Sequence, residues 1–121
     1  MVNILSYEND IKEEEHDHEF MEIEYIKKGK VVQIINGERF ECKEGDFVFF
    51  YVGDKHSFEP IGTAGIVNVV FAPQLFEKMM MHRYFPINKR ISSMVRLPKD
   101  ERRRLVEIMK VMEHEYSSSK D

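Results

Sequence analysis

From residue 19 to 71 apolar residues come in short blocks, each closed by turn chemistry. EFMEIEYI is rich in β-formers and predicts a strand that Gly29 ends. KVVQIINGERFEC follows, with Asn36-Gly37 between two alternating apolar arms. Both central positions of a type I′ turn need positive φ, which Asn-Gly tolerates, so Val31 to Ile35 and Glu38 to Cys42 are predicted to pair as an antiparallel hairpin. KEGD then turns the chain into FVFFYV, an apolar run short enough to be a strand buried on both faces. A GDK turn leads to a strand at HSFE, and beyond Pro60 and Gly62 the segment AGIVNVVFA predicts another. Roughly six short strands at such spacing indicate a mainly β fold, an antiparallel barrel or sandwich.

The pattern changes after Pro73. QLFEKMMMHRYF places Leu75, Met79 and His82 at helical spacing behind a proline suited to a helix start, predicting a short helix near residues 74–82. Met79, Met80 and Met81 read either as helix packing or as an adaptable binding surface. INKRISSMVRL predicts a last, weak strand. Beyond Pro98, Leu105, Ile108, Met109, Met112 and Tyr116 form an apolar stripe on a longer helix, to be buried against the barrel or against its copy in a dimer. The expected division is a barrel over residues 1–97 and a helix over 98–121.

A chain of 121 residues is one domain with room for one site. Its composition is globular, and no segment approaches the roughly 20 apolar residues of a membrane span, so a soluble protein is expected. The N-terminus has neither the basic start nor the apolar stretch of a secretory signal, which points to the cytoplasm. Cys42, the only cysteine, can form no disulfide within the chain and reads as a small buried hydrophobe.

The net charge of -4 hides an asymmetry: residues 1–29 hold nine acids against three lysines, and residues 82–110 hold nine bases against three acids. The two regions could face one another, in the fold or across a dimer, or remain two solvated faces. Neither arrangement supports broad nucleic-acid binding by this chain. Arg102, Arg103 and Arg104 spread around a helix rather than forming one stripe for a groove.

The candidate chemistry lies in HDHEFMEIEYIKKG, residues 16–29. In a regular strand His16, His18 and Glu22 would share one face, and the turn after FVFFYV could bring His56 back beside them. Three imidazole nitrogens and a carboxylate are suitable ligands for divalent iron, manganese, nickel or zinc. Glu24 falls on the same face as Glu22, so the pair calls for a proton, a cation, a bound ligand or a bulge that re-aims one of them. Three readings of the cluster stay open: a catalytic metal site, a metal-free pocket that binds an organic ligand, or histidines exposed at a rim with Glu22 capping a turn or meeting a lysine. Phe20, Phe47, Phe49 and Tyr51 belong to the wall or core, at least one of them is expected to touch a ligand, and Phe20 and Tyr51 are the two taken as ligand-binding candidates.

The spacing resembles the first motif of the cupin superfamily, HxH, three residues, Glu, six residues, Gly, matched here by His16, His18, Glu22 and Gly29. The second motif is matched by Gly45, Gly53 and His56, with Tyr51 in place of its proline and Pro60 in place of its asparagine. Together they span residues 16–60. The acidic approach, the hairpin, EGDFVFF, the strand ending VVFAP and the following helices are most similar to the effector-binding and dimerisation domain of AraC-type transcriptional regulators. That resemblance implies a cupin double-stranded β-helix, a jelly-roll-like barrel followed by one short and one longer helix. It further implies a homodimer, a small polar effector such as a sugar held by some of His16, His18, Glu22, Glu24 and His56, and no required cofactor. Effector binding would order the N-terminal segment and alter how the C-terminal helices pair. DNA would be bound only by helix-turn-helix units outside this chain, and no membrane would be involved. The alternative that the resemblance allows is a small metal-dependent cupin enzyme, an isomerase or dioxygenase, with His16, His18, Glu22 and His56 as ligands.

Overall fold

A computed structural model of the chain describes residues 2–74 and 94–119. Seven strands and one helix appear in the order β1 (Val2–Asn9), β2 (Glu13–His16), β3 (Met21–Ile35), β4 (Glu38–Lys43), β5 (Phe47–Phe50), β6 (His56–Phe71), β7 (Met94–Val95) and α1 (Lys99–Ser119). Every strand pair is antiparallel, and the order along the sheet is β1-β6-β3-β5-β7, with β2 added to β6 and β4 to β3. The short helix expected near 74–82 lies almost wholly outside the described residues, as does most of the last predicted strand, of which β7 is the described part.

Two long strands carry the architecture, and both run through glycines that the sequence reading takes as breaks. β3 pairs with β6 twice, Met21 to Ile26 against Ile66 to Phe71 and Lys30 to Ile35 against His56 to Ile61, with the register shifting between. Gly29 sits in that shift at φ 84°, and a Cβ there would stand 2.9 Å from the Thr63 carbonyl oxygen. The glycine therefore bends the strand over its neighbour instead of ending it. Pro60 is likewise tolerated inside β6. It is registered against Val31 of β3, whereas β1 is registered only from Ala64 onward and β2 only as far as Phe58, so no second neighbour requires its missing N–H.

The Asn36-Gly37 hairpin forms as expected, with Ile35 opposite Glu38 and positive φ at both turn residues, 50° and 84°. FVFF is buried on both faces: Phe47 and Phe49 join Met21, Ile23, Val69 and Phe71 on one side, while Val48 and Phe50 join Ile26, Val31, Ile35, Cys42, Phe58 and Ile66 on the other. The first cluster is completed by Leu105, Met109 and Met112 of α1, with Ile108 packed against it, so this part of the helix's apolar stripe is buried against the sheet. Arg102, one turn earlier, lies over Gly45 in the β4–β5 turn. β1 is an element that the sequence reading did not anticipate.

Candidate ligand-binding site

Alternation along β3 sends Met21 and Ile23 toward the helix, while Glu22, Glu24 and Ile26 take the other face. A cavity of about 350 Å³ opens there. Its wall includes every polar candidate from the sequence, His16, His18, Glu22, Glu24 and His56, together with Phe20. It also includes Tyr7, Glu13, Asp17, Phe58, Asn68 and Val70.

His18 and His56 are positioned by the chain around them. Residues 17–20 are not strand, which overturns the expectation of one regular strand from His16 to Glu22. The non-strand segment is instead tied down by the Gly53 amide, which donates to the His18 carbonyl at 3.1 Å. The same turn is braced by Asp54, whose carboxylate accepts from the Tyr51 amide and from Asn36 Nδ2, both at 2.9 Å. Asn36 Oδ1 accepts from the Lys55 amide at 3.0 Å, which delivers the chain into β6 with His56 as its first residue. His16, the last residue of β2, is registered directly opposite His56.

The resulting cluster is tight. His18 Nε2 lies 2.8 Å from Glu22 Oε1 and 3.4 Å from His56 Nε2, and the ligand atoms of these three residues all fall within 4.8 Å of one another. His18 Nδ1 lies 2.9 Å from the Phe20 carbonyl, which can only accept, so Nδ1 carries the proton. Nε2 then faces Glu22 either as the second N–H of an imidazolium or as a lone pair that needs a cation beside it. The hydrogen bond to Glu22 raises the pKa of His18 above its ordinary value, against the opposing effect of burial. His56, only 5% exposed, is pushed the other way, to about 4, chiefly by burial. Its Nδ1 is buried with no hydrogen-bond partner among the described residues.

His16 stands apart from the three close donors. It is exposed, its ring centroid is 4.3 Å from that of His56, and its Nδ1 donates to the Glu14 carbonyl at 2.9 Å. Phe20 stacks on His18 with ring centroids 3.9 Å apart. Tyr51 is not among the lining residues; it packs against the cluster that α1 covers, so its expected place beside a ligand is corrected. The reason is parity: Tyr51, just beyond the end of β5, continues the alternation that puts Phe47 and Phe49 on the helix-facing side.

Glu24 does share its face with Glu22. It is 4% exposed and accepts from Gln33 Nε2 at 2.6 Å. Burial and then the Glu22 charge hold its carboxyl well above the usual carboxylate range. Tyr7 is also raised, again chiefly by burial. Gln33 and Asn68 were legible as single polar residues inside apolar runs, VVQII and IVNVV, and each has a buried side-chain oxygen without a partner among the described residues. Tyr7, Glu13 and Asp17 had no comparable signal. Cys42 is buried inside the barrel, and its thiol is pushed up to about 12 mainly by burial, as suits an inert packing residue.

Two imidazoles and a carboxylate this close are a donor set that could hold a divalent transition metal, with His18 oriented by its bond to a backbone carbonyl. No helix among the described residues is long and apolar enough to cross a membrane.

A model of the AraC-like ligand binding domain matches residues 4–109. The HTH-type transcriptional activator RhaR of Escherichia coli (strain K12) is 25% identical over 60 residues, a stretch that is 50% of this chain and 21% of that protein. This chain thus matches only about a fifth of the length of that relative. Among solved structures, EutQ of Clostridium difficile superimposes with a TM-score of 0.52 at 21% identity, covering 59% of this chain and 56% of that one. An RmlC-like cupin from Shewanella frigidimarina gives 0.51 at 14% identity, covering 60% and 70%. Bacillus subtilis oxalate decarboxylase, described with Mn(II) centres, gives 0.52 at 23% identity, covering 59% of this chain and 21% of that one. These likenesses establish the cupin fold.

Proposed function

The chain belongs to the AraC-like ligand binding domain family, and from that premise we propose that it is the small-molecule-sensing and dimerisation domain of an AraC-type transcriptional regulator. The observation that carries this reading is the cavity on the inner face of β3, which is metabolite-sized and lined by a few converging polar groups among aromatic ones. His18, Glu22, Glu24 and His56 present hydrogen-bonding atoms to a polar effector, a sugar being one such compound, and Phe20 supplies apolar contact. His16 stands at the edge of the same cavity.

Residues 1–97 then form the sensor and 98–121 the linker and dimerisation helix of a cytoplasmic homodimer. DNA binding belongs to helix-turn-helix units outside this sequence. An effector acts only through its different affinity for two arrangements of the domain. Glu13 and His16 of β2, with Asp17 just beyond it, line the cavity, so a ligand that touches them couples directly to the position of the N-terminal segment.

A second reading is favoured by one observation, the closeness of the His18, Glu22 and His56 donor atoms. In it these residues hold a divalent metal, which would supply Lewis-acid chemistry, and the chain is a small cupin enzyme.

Thermal unfolding with a panel of sugars, polyols, amines and carboxylates tests the two. A sensor is stabilised by at least one compound, by about 2.7 kcal/mol at 100 times its dissociation constant. The compound is recovered unchanged, and the effect is lost in a His56→Ala, Glu22→Gln variant. Conversion of the compound to product, dependent on one equivalent of metal, contradicts the sensor reading and establishes the enzyme.

A further inference from the structure

Three histidines, His16, His18 and His56, are the basic side chains on the cavity wall, and the carboxyl groups there outnumber them. Four carboxyl groups line it, those of Glu13, Asp17, Glu22 and Glu24, and no lysine or arginine is among the lining residues. Glu22 is engaged by His18. Glu24, 4% exposed, has the neutral amide of Gln33 as its described partner and so receives no compensating charge.

Two further groups on the same wall lack partners among the described residues. Asn68 presents a buried side-chain oxygen, which can only accept. His56, nine-tenths buried and more, has an unpartnered Nδ1. Buried polar atoms without partners are costly in an isolated protein, and both of these belong to side chains on the cavity wall. Aromatic rings of Tyr7, Phe20 and Phe58 complete the lining, and ring faces attract cations.

These features discriminate among ligand classes. An anion would meet four carboxyl groups with no arginine or lysine to receive it. A neutral polyol could hydrogen-bond to the wall but would bring no positive charge to its carboxyl groups. A protonated amine supplies N–H donors and a positive charge that favours the ionised form of the Glu24 carboxyl.

We propose that the ligand of this cavity is an organic cation, a small metabolite whose protonated amine is received by Glu24 and Glu22, two residues apart on one face of β3, with its carbon skeleton against Tyr7 and Phe58. The inference rests on the sensor reading and specifies its effector class.

The test is calorimetric titration of the whole chain, freed of metal by chelator, with two matched series. Glucosamine and glucuronate each differ from glucose by one group, an amine at C2 and a carboxylate at C6, and 1,4-diaminobutane pairs with 1,4-butanediol. The amine member of at least one series binds about tenfold or more tightly than its neutral partner, equivalent to about 1.4 kcal/mol. Glu24→Gln, which keeps the shape of the side chain, removes that preference. Asp17→Asn, at the exposed side of the cavity, weakens it even if the Glu24 variant folds poorly. Glucose or butanediol binding as tightly as the amines overturns the cationic class and leaves the sensor reading in place. A response confined to divalent metal ions overturns it in favour of an inorganic cation, and no response to any probe overturns both this inference and the cavity as an effector site.

Discussion

His18 stands between two acceptors, with Nδ1 2.9 Å from the Phe20 carbonyl and Nε2 2.8 Å from the Glu22 carboxyl. Both side chains of the His18–Glu22 pair are about nine-tenths buried, so with His18 as an imidazolium and no metal beside it the contact is a charge-assisted hydrogen bond largely shielded from solvent. A double-mutant cycle with His18→Ala and Glu22→Gln is expected to return a coupling of about 1.5–3 kcal/mol in urea unfolding. Strict additivity of the two substitutions would mean that the pair does not form.

Gly29 tests the bend on which the cavity depends. Alanine there must adopt φ 84° and place its Cβ 2.9 Å from the Thr63 carbonyl oxygen, which is backbone and cannot swing aside. Gly29→Ala should cost about 1–3 kcal/mol or more. Gly53→Ala serves as the control, since φ is also 84° but nothing lies within 4 Å of the added atom, so its cost should be smaller. Equal urea midpoints for the two variants would show that the crossing of β3 and β6 is not under steric control.

The two inner histidines carry opposite pH signatures. His56 has a folded value of about 4, below its ordinary 6.5, so below pH 6.5 the unfolded chain binds the proton in preference. Its contribution is fully present above the ordinary value and is lost as pH falls toward the folded one. His18 is raised, so its contribution is full below the ordinary value and fades as pH rises through the folded value. In chelator-treated protein, the stability of the wild type relative to His56→Gln should therefore decline as the pH is lowered from about 6.5 to about 4. The stability relative to His18→Gln should decline as the pH is raised past about 6.5. Parallel pH profiles for the wild type and both variants would contradict these assignments.

Leu105 is fully buried among Ile23, Phe47, Phe49, Val69 and their neighbours. Truncation to alanine should cost about 2–5 kcal/mol in the isolated chain, because the helix is part of the core. Val111, 60% exposed on the same helix, should tolerate alanine within about 0.5 kcal/mol unless a second copy covers it. Similar unfolding midpoints for the two variants would indicate a helix that is not docked on the sheet.

Much of this was legible in the residues. Asn-Gly at 36–37 fixed a hairpin because few dipeptides tolerate two positive φ values, and FVFF announced a doubly covered strand because it has no polar face. The cluster of His18, Glu22 and His56 was readable from spacing even though the assumed regular strand was not there, since the loop at 17–20 keeps His18 beside Glu22 through hydrogen bonds that a parity rule cannot foresee. Glycine and proline misled at Gly29 and Pro60. Both residues interrupt ordinary strands, but a bulge needs the first and a one-sided strand segment accepts the second. The contribution of Tyr7 depended on β1 pairing with β6, a long-range pairing with no local signature. Tyr51 is an aromatic residue like Phe20, but continuing the alternation of Phe47 and Phe49 assigns it to the side of the helix.

The central claim is that an effector enters the cavity on the inner face of β3. Its most direct test is the two-dimensional amide NMR spectrum of the labelled chain, titrated with whichever panel compound raises the unfolding temperature. Shifts concentrated at His18, Glu22, Glu24, His56 and Asn68, and absent in the His56→Ala, Glu22→Gln variant, are the predicted result. Shifts confined to the outer surface of α1 or to a second, separate pocket lined in part by Ser6, Lys28 and Glu44, with the inner residues unmoved, would contradict it.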